Sequence, residues 1–228
     1  VEARGSAEVI AGLRPGTTRA EFLEAAQSGS LEPLLQHHRV RAGDVVLVPA
    51  GRVHAMGAGI VALEIQQTSD ITYRLHDWGR VGPDGKPRPL HLDRAIEVIN
   101  FSDEGCAVAQ PVQRTENWGI WSLLGVTLFF LTESFDRFRS VKLITAVSSP
   151  DVLMAVSGEV DITWEGGNTH LTAGRTALIP TGIGNYEIHS DGNTLVVRTR
   201  VPDRSRVLGE WSPRTQEEHR AIKRVCAF

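Results

Sequence analysis

Cysteine is nearly absent from this sequence: two residues, Cys106 and Cys226, in 228, with no Cys-x-x-Cys pair. That excludes a disulfide-stapled scaffold and a thiolate zinc site, and it fits a chain kept in a reducing cytosol. Long apolar runs are missing too. The most apolar stretch, LLGVTLFFL at 123–131, falls far short of the roughly 20 residues that span a bilayer as a helix. No membrane partner, signal peptide or anchor is expected. Charge of one sign is also lacking. With 24 Lys and Arg against 27 Asp and Glu, the formal net charge is −3 and the signs are interspersed. This leaves no basic stripe of the kind that binds nucleic acid. A cytoplasmic globular protein is the expectation. The chain also lacks an initiating methionine, opening at Val1 inside what reads as structured sequence. Its true N-terminus is expected further upstream.

What is present is enough apolar sequence, 41% of residues, to build one large core or two small ones. Helical signals are few. Residues 17–38 form the clearest helical region: Thr18 and Glu21 stand at capping-box spacing, Phe22, Leu23 and Ala26 follow at helical intervals, and Gly29 stops the turn. A second short helix is predicted from Ser30 through Leu35, with His37 and His38 on the helical side of the boundary. A third is predicted over 93–99, capped by Asp93. The rest reads as short strands rich in Val, Ile, Leu and Thr between Gly, Pro, Asp and Asn. Candidates fall at 45–48, 60–66, 71–76, 126–131, 140–147, 152–157, 159–164, 176–179, 185–189 and 194–200. So many short strands point to a sandwich, jelly roll or small barrel.

An internal repeat sharpens this. GDVVLVPAGRVH at 43–54 and GRTALIPTGIGN at 174–185 align Gly43 with Gly174, Pro49 with Pro180 and Gly51 with Gly182. Two related β-domains in tandem are expected, each using a Gly turn, a strand, then proline to end the ladder and glycine to bend. His54 in the first copy stands where Asn185 stands in the second.

The segment 51–80 mixes strand-forming residues with His54, Glu64, Gln66, Asp70, Arg74, His76 and Asp77. Period-two alternation puts Glu64 and Gln66 on one face of 60–66, and Thr72, Arg74 and His76 on one face of 71–76. Such a polar face is either the wet side of a sheet or the lining of a polar lumen, and alternation does not separate the two. His54 is a surface imidazole or a metal ligand. No second or third ligand stands at an indicative spacing. Arg74 either pairs with Asp70 or Asp77, or offers its planar charge to a phosphate or a developing oxyanion. Lys86 and Arg88, in the turn-rich loop 81–91, read as solvated charges.

GDVVLVPAGRVHAMGAG, EIQQTSDITYRLHDWGR and GKPRPLHLDRAIEVI, in that order and spacing, resemble the type I mannose-6-phosphate isomerases in their shorter bacterial form. The likeness is close over residues 1–100 and weaker beyond. It implies a mainly β fold of tandem cupin (β jelly-roll) domains with a short helical insertion. Residues 1–100 would be the C-terminal part of the catalytic cupin, with the insertion at about 17–38, and 101–228 a second, degenerate cupin. It also implies reversible isomerisation of mannose 6-phosphate and fructose 6-phosphate with one divalent metal, usually zinc. His54 matches a metal ligand of the family, and Arg74 matches an arginine placed at the substrate and implicated in catalysis. The family's other ligands, a Gln-x-His pair and a glutamate, lie upstream of the segment matching VEARGSAEVIAG, and Glu64 does not replace them. The expectation is therefore an isomerase shortened at its N-terminus, whose activity needs the missing segment. The alternative is a non-catalytic cupin that binds a sugar phosphate or a protein partner.

Overall fold

A computed structural model describes residues 2–69, 71–103, 107–146, 148–203 and 215–227. Asp70 and Cys106 lie outside the described residues. The chain divides into two compact units, Val1–Ala42 with Val48–Val108, and Gly43–Leu47 with Ala109–Phe228. In chain order the elements as far as Ala109 are β1 (Glu2–Ala3), β2 (Glu8–Leu13), α1 (Arg19–Ser28), β3 (Leu35–Arg39), β4 (Val45–Val46, in the second unit), β5 (His54–Met56), β6 (Ile60–Val61), α2 (Leu92–Val98) and β7 (Val108–Ala109). Beyond it come β8 (Val112–Glu116), β9 (Gly119–Thr127), β10 (Leu131–Asp136), β11 (Ser140–Ile144), β12 (Asp151–Ser157), β13 (Glu159–Trp164), β14 (Gly167–Thr172), β15 (Thr176–Ile179), β16 (Asn185–His189), β17 (Leu195–Arg200), α3 (Gln216–Val225) and β18 (Cys226–Ala227).

In the first unit, β2 runs between β3 and β5 in an antiparallel sheet, and β1 pairs with β6. Helix α1 starts where the capping residues require. The Thr18 side chain accepts from the Glu21 amide, the Glu21 carboxylate accepts from the Thr18 amide at 2.8 Å, and Gly29 ends the helix in the left-handed conformation at φ 72. Phe22 is the residue this helix buries fully, packing with Leu13, Leu31, Leu35 and Ile96.

The second unit is a two-sheet sandwich. One sheet runs in the order β15-β12-β17-β10-β9-β18, with β8 also on β9, and the other runs β11-β16-β13-β14. Strict alternation explains why they face each other. In β13, Val160 and Ile162 are buried while Glu159 and Asp161 are exposed, and in β12 Asp151, Leu153 and Ala155 all point inward. Leu123, Leu131, Phe135, Leu153, Ile162 and Ile188, drawn from both sheets, share one core. The outermost strand β14 buries only Leu171 and shows water Asn168, Thr169, His170 and Thr172.

The sequence expectations meet the structure unevenly. Strands 159–164, 176–179 and 185–189 begin and end as predicted. The expected strand 126–131 is instead the end of β9, a hairpin turn at 128–130 and the first residue of β10. Thr127 accepts at its hydroxyl from the amides of Phe129 at 3.0 Å and Phe130 at 2.9 Å, and the chain reverses into β10. Strand 60–66 stops at Val61, and 71–76 forms no strand. His37 and His38 belong to β3 rather than to a helix, because that segment pairs with β2. Asp93 does not cap α2; the cap position is His91, without a side-chain bond.

The repeat holds at its strand ends and diverges at its bend. His54 opens β5 and Asn185 opens β16, at matching offsets. Gly51 adopts φ +85, and a Cβ there would sit 2.7 Å from the Val98 carbonyl oxygen, whereas Gly182 has open space and no positive φ. Gly51→Ala is expected to destabilise the first unit by roughly 1–3 kcal/mol through backbone strain alone, before the clash is counted. Gly182→Ala is expected to leave stability nearly unchanged. Thermal unfolding of the two variants checks the contrast.

Candidate functional site

His54 is placed by the turn before it. Arg52 is buried and clamps Asp103 with two bonds, Nε to Oδ2 at 2.5 Å and Nη2 to Oδ1 at 2.7 Å. The Arg52 carbonyl then lies 3.1 Å from His54 Nδ1. A carbonyl only accepts, so this contact puts the proton on Nδ1 and leaves Nε2 of the neutral ring with its lone pair free. That is the tautomer a metal-ligating histidine takes when its other nitrogen is tied to the backbone. The ring is exposed, on the strand face it shares with Ala11 of β2.

Arg74 lies in the irregular segment between β6 and α2, held by its own backbone. Its amide donates to His91 Nδ1 at 3.1 Å and its carbonyl accepts from the His91 amide at 2.8 Å, tying the loop to the start of α2. Its guanidinium donates to the Pro89 carbonyl at 3.2 Å and stands 3.6 Å from Asp77 Oδ1. Asp77, however, belongs first to Arg88, whose Nε donates to Oδ2 at 2.7 Å and whose Nη2 contacts Oδ1. Bidentate pairing of this kind is both stronger and more directional than a single contact. Arg88 is thus not a solvated loop charge. The Arg88 hydrogen bond, reinforced by the charges of Arg88, Arg74 and Arg80, holds the Asp77 carboxyl below the usual aspartate value. Three arginines around one aspartate leave the loop with surplus positive charge, to which Arg74 contributes a weakly engaged guanidinium.

The first unit also carries an open cleft of about 640 Å³, lined by Arg4, Glu8, Ile10, His37, Trp78 and Arg80, among others, together with Ala55 and Met56 of β5 and the turn 57–59. Arg80 lies over the Trp78 ring at 5.8 Å and His76 meets that ring edge-on at 5.0 Å. The cleft therefore touches both the strand that carries His54 and the loop that carries Arg74. Neither residue lines it. Ile10 pairs with both His37 and Ala55, so this part of the cleft lies on the sheet face opposite His54. Sequence reasoning missed the Asp77–Arg88 clamp and the His91 tie, because both join residues 11 and 17 positions apart through a loop without periodicity. The pairing of an aspartate with a guanidinium across a Gly-Pro-Asp-Gly turn was the available signal.

Among the described residues, no three His, Cys, Asp or Glu side chains converge as metal ligands. The contact of His54 Nδ1 with the Arg52 carbonyl suits one ligand, but a structural or catalytic zinc takes at least three protein donors. By themselves the described residues do not fit a bound metal. Glu64 lies past the end of β6, and nothing groups it with His54.

Removing Arg88 is expected to raise the Asp77 carboxyl back toward the ordinary aspartate value of about 3.9. In the native loop this carboxyl ionises at lower pH than in the unfolded chain. The clamp therefore stabilises the loop above about pH 4 and is lost on acidification through the lower folded value. Carboxyl ¹³C NMR of wild type and Arg88→Ala reads the difference directly.

No family model matches the chain. It is 30% identical over 197 residues to the mannose-6-phosphate isomerase of Streptococcus mutans, across 84% of this chain and 59% of that protein. It is 46% identical over 99 residues to the mannose-6-phosphate isomerase ManA of Bacillus subtilis, across 43% of this chain and 31% of ManA. The chain thus spans between about a third and three-fifths of the length of these curated relatives. The crystal structure of the mannose 6-phosphate isomerase from Bacillus subtilis superposes with a TM-score of 0.78 at 23% identity, covering 87% of this chain and 62% of that one. Apo mannose 6-phosphate isomerase from Salmonella typhimurium gives 0.61 at 13% identity, covering 87% and 64%. The mainly β cupin architecture is common to this chain and these two structures. In sequence the chain is similar to mannose-6-phosphate isomerases over part of their length, and it shares the fold of their solved structures.

Proposed function

We propose that this chain is part of a metal-dependent isomerase that interconverts mannose 6-phosphate and fructose 6-phosphate by proton transfer through an enediol or enediolate. The observation that carries this reading is the alignment with the Streptococcus mutans enzyme along 84% of the chain, through both units. His54 is the proposed metal ligand, its free Nε2 set by the bond from Nδ1 to the Arg52 carbonyl. Zinc is the proposed metal, with the remaining donors supplied from outside the described residues. In this reading, activity belongs to a polypeptide longer than these 228 residues. A cytoplasmic setting is part of the proposal. Its support is the near absence of cysteine, and no helix among the described residues is long and apolar enough to cross a membrane.

The chemistry asked of this chain's own residues is limited. Aldose–ketose isomerisation moves a proton between adjacent carbons and develops negative charge on the neighbouring oxygens, so a fixed cation beside them lowers the barrier. Arg74 is the proposed residue. Its backbone is pinned at two points to His91, its guanidinium is only loosely held by Asp77, and that aspartate's charge is already taken by Arg88. Loss of one such stabilising donor costs on the order of 10²–10³ in rate. A lysine lacks the planar fork and would restore little.

A coupled assay of fructose 6-phosphate formation, run with and without chelator on a polypeptide extended to the length of the relatives, tests the reading. Arg74→Ala is expected to lower kcat by about 10²-fold or more, and Arg74→Lys to recover little of it. His54→Ala is expected to abolish the chelator-sensitive activity. Activity indifferent to chelator and to both substitutions would overturn the metal-dependent mechanism, and no activity in the extended polypeptide would favour the second reading, a non-catalytic cupin that binds a sugar phosphate or a protein partner. That reading draws on Asn185 standing in the second repeat where His54 stands in the first.

A further inference from the structure

Between the two sheets of the second unit lie Glu133 of β10, Asp151 of β12 and Arg198 of β17, which are 2%, 0% and 7% exposed. Glu133 is fully engaged. Arg198 Nε donates to Oε1 at 2.6 Å, Arg198 Nη2 contacts the same oxygen, and Trp121 Nε1 donates to Oε2 at 2.8 Å. Asp151 is served less well. The Tyr186 hydroxyl donates to Oδ2 at 2.7 Å and Arg198 Nη1 reaches that same oxygen at 3.5 Å. Its other oxygen, Oδ1, is buried with no hydrogen-bond partner among the described residues.

This asymmetry decides which carboxyl can stay charged. A carboxylate oxygen removed from water without a donor is costly, and the neutral acid is far cheaper to bury. The charge of Arg198 is already matched by Glu133 at close range. Arg200, two residues along β17, attracts the Asp151 charge more weakly than Arg198 does, and Glu133 repels it. Tyr186 contributes no charge, since burial pushes its phenol above the ordinary value. Burial is the largest influence on Asp151 and raises its carboxyl above the usual aspartate range, against the pull of Arg198, Tyr186 and Arg200.

We propose that the folded second unit takes up one proton on Asp151, which makes this unit a pH-responsive element whose stability falls as the medium becomes more alkaline. The direction follows from linkage. The folded chain holds the proton to higher pH than the unfolded chain, where an aspartate titrates at about 3.9. The stabilisation is complete below that value and is lost as pH rises through the higher folded one. This element is independent of the isomerase reading, because it uses neither His54 nor Arg74.

The test is a carboxyl ¹³C NMR titration of the full chain labelled at aspartate, from about pH 4 to about pH 8, around the ordinary aspartate value, with Asp151→Asn to assign the signal. One carboxyl is expected to titrate above the ordinary aspartate value and to vanish in D151N. Urea unfolding followed across the same range is expected to show the wild-type unfolding constant rising, relative to D151N, by up to about tenfold per pH unit. An Asp151 signal at or below the ordinary value, or unfolding profiles that stay parallel, would overturn the proposal. If D151N does not fold, Tyr186→Phe supplies the assignment. It removes the hydroxyl donor from Oδ2, so the same signal is expected to move to higher pH, and a high-titrating signal that fails to move overturns the proposal equally.

Discussion

In the second unit, each strand packed between the sheets has to give one face to a core it shares with the other sheet, and both the packing and the buried charges depend on that constraint. Alternation along β12, β13 and β16 commits every second side chain to the interior. Where the committed residue is Leu153 or Ile162 the result is ordinary packing. Where it is Glu133 or Arg198, the same geometry carries charge away from water, and the two charges must then find each other, while at Asp151 it buries a carboxyl beside them. Register places Leu153 opposite Arg198 and Glu133 opposite Arg198 on adjacent strands, so the cluster is as much a product of sheet pairing as of electrostatics.

The same constraint explains which parts of the fold were legible in the sequence. Strands β13, β15 and β16 matched the expectation because alternation and turn residues agreed there and a pairing partner existed, on both sides for β13 and β16 and at β12 for the edge strand β15. Segment 71–76 shows equally clean alternation and forms no strand. Alternation describes what a strand would bury, but backbone groups still need a pairing partner, and the amide and carbonyl of Arg74 satisfy theirs at His91 instead. His37 and His38 err in the other direction. They follow a helix and carry no strong strand preference, yet β2 recruits them into a sheet.

At the candidate site, residue type was legible and surroundings were not. A histidine after a Pro-x-Gly turn and an arginine in an aromatic-rich segment are visible in one dimension. The tautomer of His54, fixed by a carbonyl two residues back, and the division of Asp77 between two arginines are not. Both depend on turn geometry, which has no period to read. The repeat fares better because it encodes position: it sets His54 and Asn185 each at the first residue of a strand, and chemistry then separates the two copies, an imidazole that can bind a metal against an amide that binds one poorly.

The polar outer face of β14 has a consequence for the molecule among its neighbours. This strand ends its sheet, so one row of its amides and carbonyls has no ladder partner among the described residues. Such a row is a template on which another chain could add a strand. Asn168, Thr169, His170 and Thr172 leave only Leu171 buried on this strand, and His170 is drawn toward Asp161 at 2.7 Å. An incoming strand would gain backbone bonds but almost no apolar contact, and it would have to displace hydrated polar groups to reach them. The same residues that make β14 a poor contributor to the core thus make it a poor seed for aggregation.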